Sequence, residues 1–324
     1  MSTLRHLLIF PLAALTALLP VAPAAADVDP ELDIQYSEEL PLAAKSLLLD
    51  IAGMPEGGLV AVGERGHVIL SADGGAWQQA RVVPTRSTLT SVAVVGDRIW
   101  AAGHDTVILT SGDTGKTWTL QNFDPGRQQP IMDIHFFDAQ RGMAVGAYDL
   151  YLFTEDGGKT WDEDFINEEE WHNNAILDLG DGRLMIAGEA GFTYRTADRG
   201  ASWETIEMPY GGSMFGIVSS GETCVLVFGL RGNVQESCDF GDSWQELDTG
   251  TELTIAGGVR SDGKILLVGN SGLVIERQDG GAFEVHQHSS GVDFARAIEL
   301  GDDSFLLVGE DGVHEFPERS IDDG

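Results

Sequence analysis

The stretch that decides the fold runs from Ile131 to Trp161: IMDIHFFDAQRGMAVGAYDLYLFTEDGGKTW. Its opening residues alternate, with Ile134 and Phe136 set against Asp133 and His135, the pattern of a strand with two unlike faces. Asp138 to Gly142 is a cluster of turn residues. Met143-Ala144-Val145-Gly146 is short and mostly apolar, as a strand buried on both faces requires. Ala147-Tyr148-Asp149 turns the chain into a third strand, Leu150 to Thr154; the segment around Asp156 turns it again, and Trp161 opens a fourth. Four short antiparallel strands in about 40 residues make a propeller blade.

The same unit recurs along the chain. Gly63, Gly103, Gly146, Gly188, Gly229, Gly269 and Gly309 each precede a short turn, at intervals of 40, 43, 42, 41, 40 and 40 residues. In phase with them runs Ser/Thr-x-Asp-x-Gly-x-Thr/Ser-Trp, complete at Ser111–Trp118, Thr154–Trp161, Thr196–Trp203 and Ser237–Trp244. The copy at Ser71–Trp77 is one residue shorter, and the copy around Asp279 has lost its Ser and carries Phe283 for Trp. A structural role explains these positions. The aspartates Asp73, Asp113, Asp156, Asp198, Asp239 and Asp279 accept backbone N–H groups across a hairpin, the Gly supplies unusual backbone angles, and the Trp fills the wedge between blades. One acidic residue per motif is too few for a calcium loop.

The expected fold is therefore all-β, a single seven-bladed propeller of four-stranded antiparallel blades with almost no helix. Four repeats place Trp 15 residues after Gly, which would put the seventh Trp at position 324, where Gly324 stands. The seventh blade then lacks its fourth strand, and Asp33-Ile34-Gln35-Tyr36 is expected to complete it and close the ring. The expected boundaries are a signal peptide at 1–26, an N-terminal segment with the closing strand at 27–46, the propeller at 47–316 and an acidic tail at 317–324. The leader carries Arg5 and His6, an apolar run from Leu7 to Leu19, and Ala24-Ala25-Ala26, the small-residue pattern of a cleavage site. That run is short for a membrane span, and no Cys follows it, which argues against a lipid anchor. A periplasmic or secreted protein, cleaved near Ala26, is the expectation.

Charge narrows the partners. The formal net charge is −33, and without Arg5, 18 basic residues face 52 acidic ones. Nucleic acid and anionic lipid surfaces both call for positive potential and are disfavoured; a basic protein partner is compatible. Cys224 and Cys238 flank the Gly229-Leu230-Arg231-Gly232 turn, so they lie opposite one another on neighbouring strands, and export makes a disulfide between them the expectation. His286-x-His288 sets two imidazoles on one strand face, but zinc needs a third ligand, so no metal and no cofactor are expected.

The Asp motif resembles the Asp-box of bacterial-neuraminidase-type (BNR) repeats, shared by sialidases, large xyloglucanases and sortilin-like receptors. A closer resemblance, over nearly all of residues 33 to 316, is to the Ycf48/Hcf136-like family; it is carried by Ile131–Trp161 and by IWAAGHDTVILTSGDTGKTW, Ile99 to Trp118. It implies a seven-bladed propeller with alternating Gly-x-x-Gly turns and Asp-boxes. It also implies a non-enzymatic assembly or stability factor for a membrane protein complex, of the photosystem II type or, in a non-photosynthetic bacterium, an exporter-associated envelope relative. Photosynthetic members of that family carry an arginine-rich patch; here Arg65, Arg86, Arg127 and Arg231 fall in turns at one end of the ring but on different blades.

Loops on a rigid scaffold are where a propeller binds. The binding-surface candidates are those four arginines together with Tyr148, Trp171, His172 and Tyr210; Glu168 to Asn173 is the most distinctive connection. An exposed aromatic beside charge suits a protein interface. The partner expected is a membrane protein complex or another envelope protein, bound by a monomer that does not itself insert in the membrane. The alternatives are a glycan-binding module or a sialidase-like glycoside hydrolase, and a peptide receptor of the sortilin-like kind. A hydrolase would need carboxylates on both sides of a cleft, for which Asp105 and Asp149 are the nearest pair, and the Phe/Tyr-Arg-Ile-Pro opening of sialidases is absent.

Overall fold

The computed structural model describes residues 34–318 except 168, 279 and 302. The expected leader (1–26), Asp33, Asp279 and most of the acidic tail lie outside the described residues. The strands form seven sheets, each built from strands consecutive in sequence. The first blade is Leu48–Gly53, Leu59–Gly63, Val68–Ser71 and Trp77–Gln79, from the ring axis outward; the third is Ile131–Phe136, Gly142–Gly146, Tyr151–Thr154 and Asp162–Asp164. All pairings within blades are antiparallel. Among the described residues, helix is confined to single 3-10 turns such as Ala43–Lys45.

Packing follows from the second strands. Leu59–Gly63, Gly142–Gly146, Leu184–Gly188 and Val225–Gly229 are buried along their whole length. A strand sandwiched between two other sheets buries both faces, which is why these segments are uniformly apolar. Alternate residues serve different seams: Val60 and Val62 pack towards the second blade, Ala61 towards the seventh. The core accordingly divides into seven clusters, each shared by two adjacent blades. The Asp-box tryptophans wedge into these seams. Trp118 sits between blades 1 and 2, Trp161 between 2 and 3, Trp203 between 3 and 4, Trp244 between 4 and 5, and Phe283 takes that place between 5 and 6.

The Asp-box hairpins share one hydrogen-bond pattern. The Asp156 carboxylate accepts the Thr160 N–H at 3.0 Å and the hydroxyls of Thr160 and Thr154 at 2.8 and 2.9 Å. Asp113, Asp198 and Asp239 repeat it with their own Thr or Ser partners. Asp73, in the shortened copy, accepts only the Gly75 N–H at 2.9 Å. In the sixth blade, Arg277 stands where the other boxes have Ser or Thr; its Nε donates to the Gly281 carbonyl and its Nη1 to Glu236 of the fifth blade. Cys224 and Cys238 are joined by a disulfide at the end of the hairpin in which Val225 pairs with Ser237.

Ring closure differs from the expectation. Among the described residues the seventh sheet has three strands, Phe294–Gly301, Ser304–Gly309 and Gly312–Phe316. Ile34 to Tyr36 is not a strand and lies beside the connection between the first and second blades instead, where Arg86 donates to the Tyr36 carbonyl. Ser37 N–H donates to the Val83 carbonyl, Leu40 N–H to Gln79 Oε1, and Gln79 Nε2 to the Glu38 carbonyl. These partners tie the segment to the first blade and the connection that follows it, so Ser37 and Leu40 take no part in a ladder with the seventh blade. The segment continues as a strap into the turn Ala43–Lys45, whose Ala44 carbonyl lies so near Gly312 that a Cβ there would collide with it. Closure between blades 7 and 1 rests on packing, with Leu48, Ile51 and Ala61 against Leu306 and Val308, and on Arg296 facing Asp50 at 3.7 Å.

Candidate functional site

In four-stranded antiparallel blades, second-to-third turns and inter-blade connections share one end of the ring, and Asp-boxes share the other. The repeated glycines belong to the first end. Gly63, Gly103, Gly146, Gly229, Gly269 and Gly309 each lie against the carbonyl of the residue preceding a first strand, Leu47, Thr88, Pro130, Ser213, Thr254 and Asp293, and a Cβ would overlap that oxygen. The next N–H donates to the same carbonyl, at 3.0 Å for Glu64 to Leu47 and 2.9 Å for His104 to Thr88. Two residues after each repeated glycine the backbone is left-handed: Arg65 (φ 56°), Asp105 (58°), Tyr148 (56°), Ala190 (56°), Arg231 (58°), Ser271 (57°) and Asp311 (60°). Non-glycine residues adopt this conformation at a cost of about 1 kcal/mol, so the scaffold fixes the direction of seven variable side chains.

Blades 3 to 5 bring several candidates into one arc. Tyr148 is 55% exposed and meets His172 edge-on, with ring centroids 4.9 Å apart. His172 Nδ1 lies 3.1 Å from Glu189. Gln129 Nε2 donates to the Tyr148 carbonyl, and Arg127 bonds both Gln129 and Glu163. Further round, the Tyr210 hydroxyl donates to the Leu230 carbonyl, next to Arg231, which is exposed. Trp171, next to His172 in the chain, is half-buried.

Asp149 organises that arc from below. Its carboxylate is 4% exposed and accepts the N–H groups of Ile166 and Asn167 and the side-chain amides of Asn167 and Asn173. Asn167 Oδ1 in turn accepts the N–H of Glu169 and of Trp171. Burial raises the Asp149 carboxyl above its ordinary range, against the lowering effect of the Asn173 amide and the two backbone donors. The connection presenting Trp171 and His172 is thus held by a buried carboxylate.

Arg65 and Arg86 fall elsewhere on the same end. Arg65 is exposed on the first blade's turn with Glu64 3.9 Å away. Arg86 holds the N-terminal strap, donating to the Tyr36 carbonyl at 2.9 Å and to Glu38 at 2.5 Å. Beside it, Ser87 Oγ donates to Asp105 at 2.5 Å, over a small cavity of about 290 Å³ that also touches Ile34 and Phe123. The four arginines therefore do not form one patch. Asp105 and Asp149 are each engaged by their own local partners, Ser87 for the first and Ile166, Asn167 and Asn173 for the second.

A polar belt inside the ring was not among the candidates. Each first strand carries a bulge near its start, and the residue after it is Asp50, Ser91, Asp133 or Arg296 in four blades. Asp50 accepts the Val92 N–H of the next blade; Asp133 accepts Ser91 Oγ on one side and the Ile176 N–H on the other. Burial drives Asp50 up to about 6, with Arg296 opposing and Asp133 adding to the rise. The 41- and 42-residue spacing of Asp50, Ser91 and Asp133 was the available signal. On the sixth blade, Glu276, Glu284 and His286 converge with ligand atoms within 4.8 Å, but Lys264 already pairs with Glu276 at 3.3 Å. His288 is turned into the interior, against Ser290 and the Glu315 carbonyl.

Comparison with known proteins gives a consistent result. The family model described as photosynthesis system II assembly factor YCF48 matches residues 30–132 and 121–271. The photosystem II assembly lipoprotein Ycf48 of Synechococcus sp. (strain CC9902) is 24% identical over 169 residues, 51% of this chain and 49% of the relative. The chain thus matches about half the length of that curated relative. Among solved structures, YCF48 bound to D1 peptide superposes with a TM-score of 0.70 at 18% identity, covering 90% of this chain and 96% of that one. YCF48 from Cyanidioschyzon merolae gives 0.69 at 17%, covering 85% and 96%. Virginiamycin B lyase from Staphylococcus aureus gives 0.74 at 9%, covering 87% and 98%. At these identities the solved structures establish a shared fold.

Proposed function

From the premise that the chain belongs to the photosynthesis system II assembly factor YCF48 family, we propose that it is a non-enzymatic, exported propeller that binds a segment of a membrane protein during assembly of its complex. The observation that carries this reading is the arc of Arg127, Tyr148, Trp171, His172, Tyr210 and Arg231, in which Tyr148 and Arg231 stand on turns whose direction the backbone fixes. Aromatic and arginine side chains held rigidly give up little entropy on binding and are the residue types that dominate protein interfaces. A relative solved with a D1 peptide makes an extended photosystem segment the first client to test. The disulfide suits the periplasmic or lumenal side of a membrane. No described helix is long and apolar enough to cross one.

The test is affinity capture from the native envelope with mild crosslinking, comparing the mature chain with Trp171→Ala and Tyr148→Ala. Recovery of one membrane complex that both variants lose supports the reading. Recovery unaffected by either variant removes the arc from it, and retention on a glycan array without a protein partner replaces it with the sugar-binding alternative.

A further inference from the structure

The first blade breaks the repeat at its Asp-box, and the fold opens there. Ser71–Trp77 is one residue short, with exposed Ala76 where complete boxes carry Thr or Ser. At this outer position side chains bridge three other seams. Trp100 and Gln121 both donate to the Gly157 carbonyl across blades 2 and 3, Arg195 reaches Phe240 and Asp242 across blades 4 and 5, and Arg277 reaches Glu236 across blades 5 and 6. Between blades 1 and 2 the bridge is main-chain only, Arg81 N–H to the Lys116 carbonyl and Trp118 N–H to the Val82 carbonyl, while Leu70 packs against Gly115, and a groove of about 930 Å³ remains.

Its apolar lining includes Met54, Leu70 and Val94, while Glu56, Asp73 and Asp97 bring carboxylates to it, none of them in an ion pair with a cation among the described residues. Asp113, on the same wall, is held below the usual carboxylate range: burial acts the other way but is outweighed by hydrogen bonds from Thr117 and Ser111. Arg81 and Lys116 are the basic residues of the lining, so acid is in excess there, as it is over the whole chain.

We propose that this groove is a second docking site, taking an extended protein segment in which apolar side chains alternate with lysine or arginine. The apolar lining accepts the former, and the unpaired carboxylates meet the latter, with the acidic field of the chain steering such segments in. The groove opens at the Asp-box end, opposite the Tyr148–Trp171 arc, so both can be filled at once. The inference stands whether or not the arc binds a photosystem segment.

The probe is a capped Lys-Leu-Lys-Leu-Lys peptide titrated by calorimetry, with Lys-Ser-Lys-Ser-Lys as its equally charged control. The expected result is that the leucine peptide binds about tenfold tighter than the serine peptide, a difference of about 1.4 kcal/mol. Ala76→Phe, which fills the groove, and Glu56→Lys with Asp97→Lys, which inverts its charge, should each abolish that preference. Trp171→Ala should leave it unchanged. All these positions except Trp171 are exposed, and thermal unfolding checks that each variant is folded. Equal binding of the two peptides, or a preference that survives both variants, would overturn the proposal and leave only diffuse attraction to an acidic surface.

Discussion

The two ends of the ring use the same repeat in opposite ways. At the Asp-box end, four complete motifs place the same carboxylate on equivalent partners. At the other end, every turn shares a left-handed residue at the same place, and its side chain varies among Arg, Asp, Tyr, Ala and Ser. Residues that repeat serve the hairpin; residues that vary on a fixed backbone are free to meet something else. The contrast between Trp118 and Trp171 is its strongest test. Trp118 is 4% exposed within the seam of blades 1 and 2, with its indole N–H on the Gly115 carbonyl at 2.9 Å. Trp118→Ala should lower unfolding free energy by about 3–5 kcal/mol in urea titrations. Trp171→Ala should stay within about 1 kcal/mol and act on client capture instead. Comparable losses at both sites would erase the distinction.

The polar belt offers a sharper version, because its carboxylate titrates with the opposite sign. Asp156 is held below its ordinary range: burial raises it, but the bonds from Thr160 and Thr154 prevail. Its contribution to stability is therefore present above the unfolded value of 3.8 and lost as pH falls through its lowered folded value. Asp50 is raised from 3.8 to about 6, chiefly by burial. Its contribution is full below pH 3.8 and disappears as pH rises through about 6, a change of roughly 3 kcal/mol. Unfolding titrations across that window should show Asp50→Asn flattening the wild-type loss of stability with rising pH. If the slope persists unchanged in the variant, Asp50 is not its source.

How much of this was legible in sequence depends on whether a feature repeats. Strand order, blade number and the seam-filling role of the tryptophans follow from a period that holds over seven units. The arc was legible in part, because Tyr148, Trp171 and Tyr210 interrupt the pattern with large aromatics at turn positions. The belt was less visible: Asp50 and Asp133 sit inside apolar strands, and only the bulges, which sequence periodicity does not mark, turn them towards the neighbouring blades' N–H groups. Ring closure went differently because backbone hydrogen bonding is decided in three dimensions. Counting strands leaves the seventh blade one short, but Ser37 and Leu40 find their partners at Val83, just after the first blade, and at Gln79 within it. The shortened Asp-box can be seen in the chain, whereas the groove depends on Leu70 standing where Arg195 or Glu236 bridges another seam.

That shortened box supplies the smallest of the expected effects. Asp156 accepts one backbone N–H and two hydroxyls, and Asp73 accepts one N–H alone. Removing the Asp156 carboxylate leaves the Thr160 N–H without its acceptor and frees two hydroxyls that had fixed the hairpin. Each net hydrogen bond contributes about 1 kcal/mol, and the exposed groups recover part of that from water, so Asp156→Ala should cost about 2 kcal/mol. Asp73→Ala should cost about 0.5 kcal/mol, because its single bond lies at the surface. Both are read from denaturant midpoints at unchanged slope. Equal losses would mean that the first Asp-box is as structural as the others, and that its missing residue has not released the aspartate. If the losses differ as expected, Asp73→Ala should also weaken the lysine–leucine peptide, which links the break in the repeat to a gain in binding.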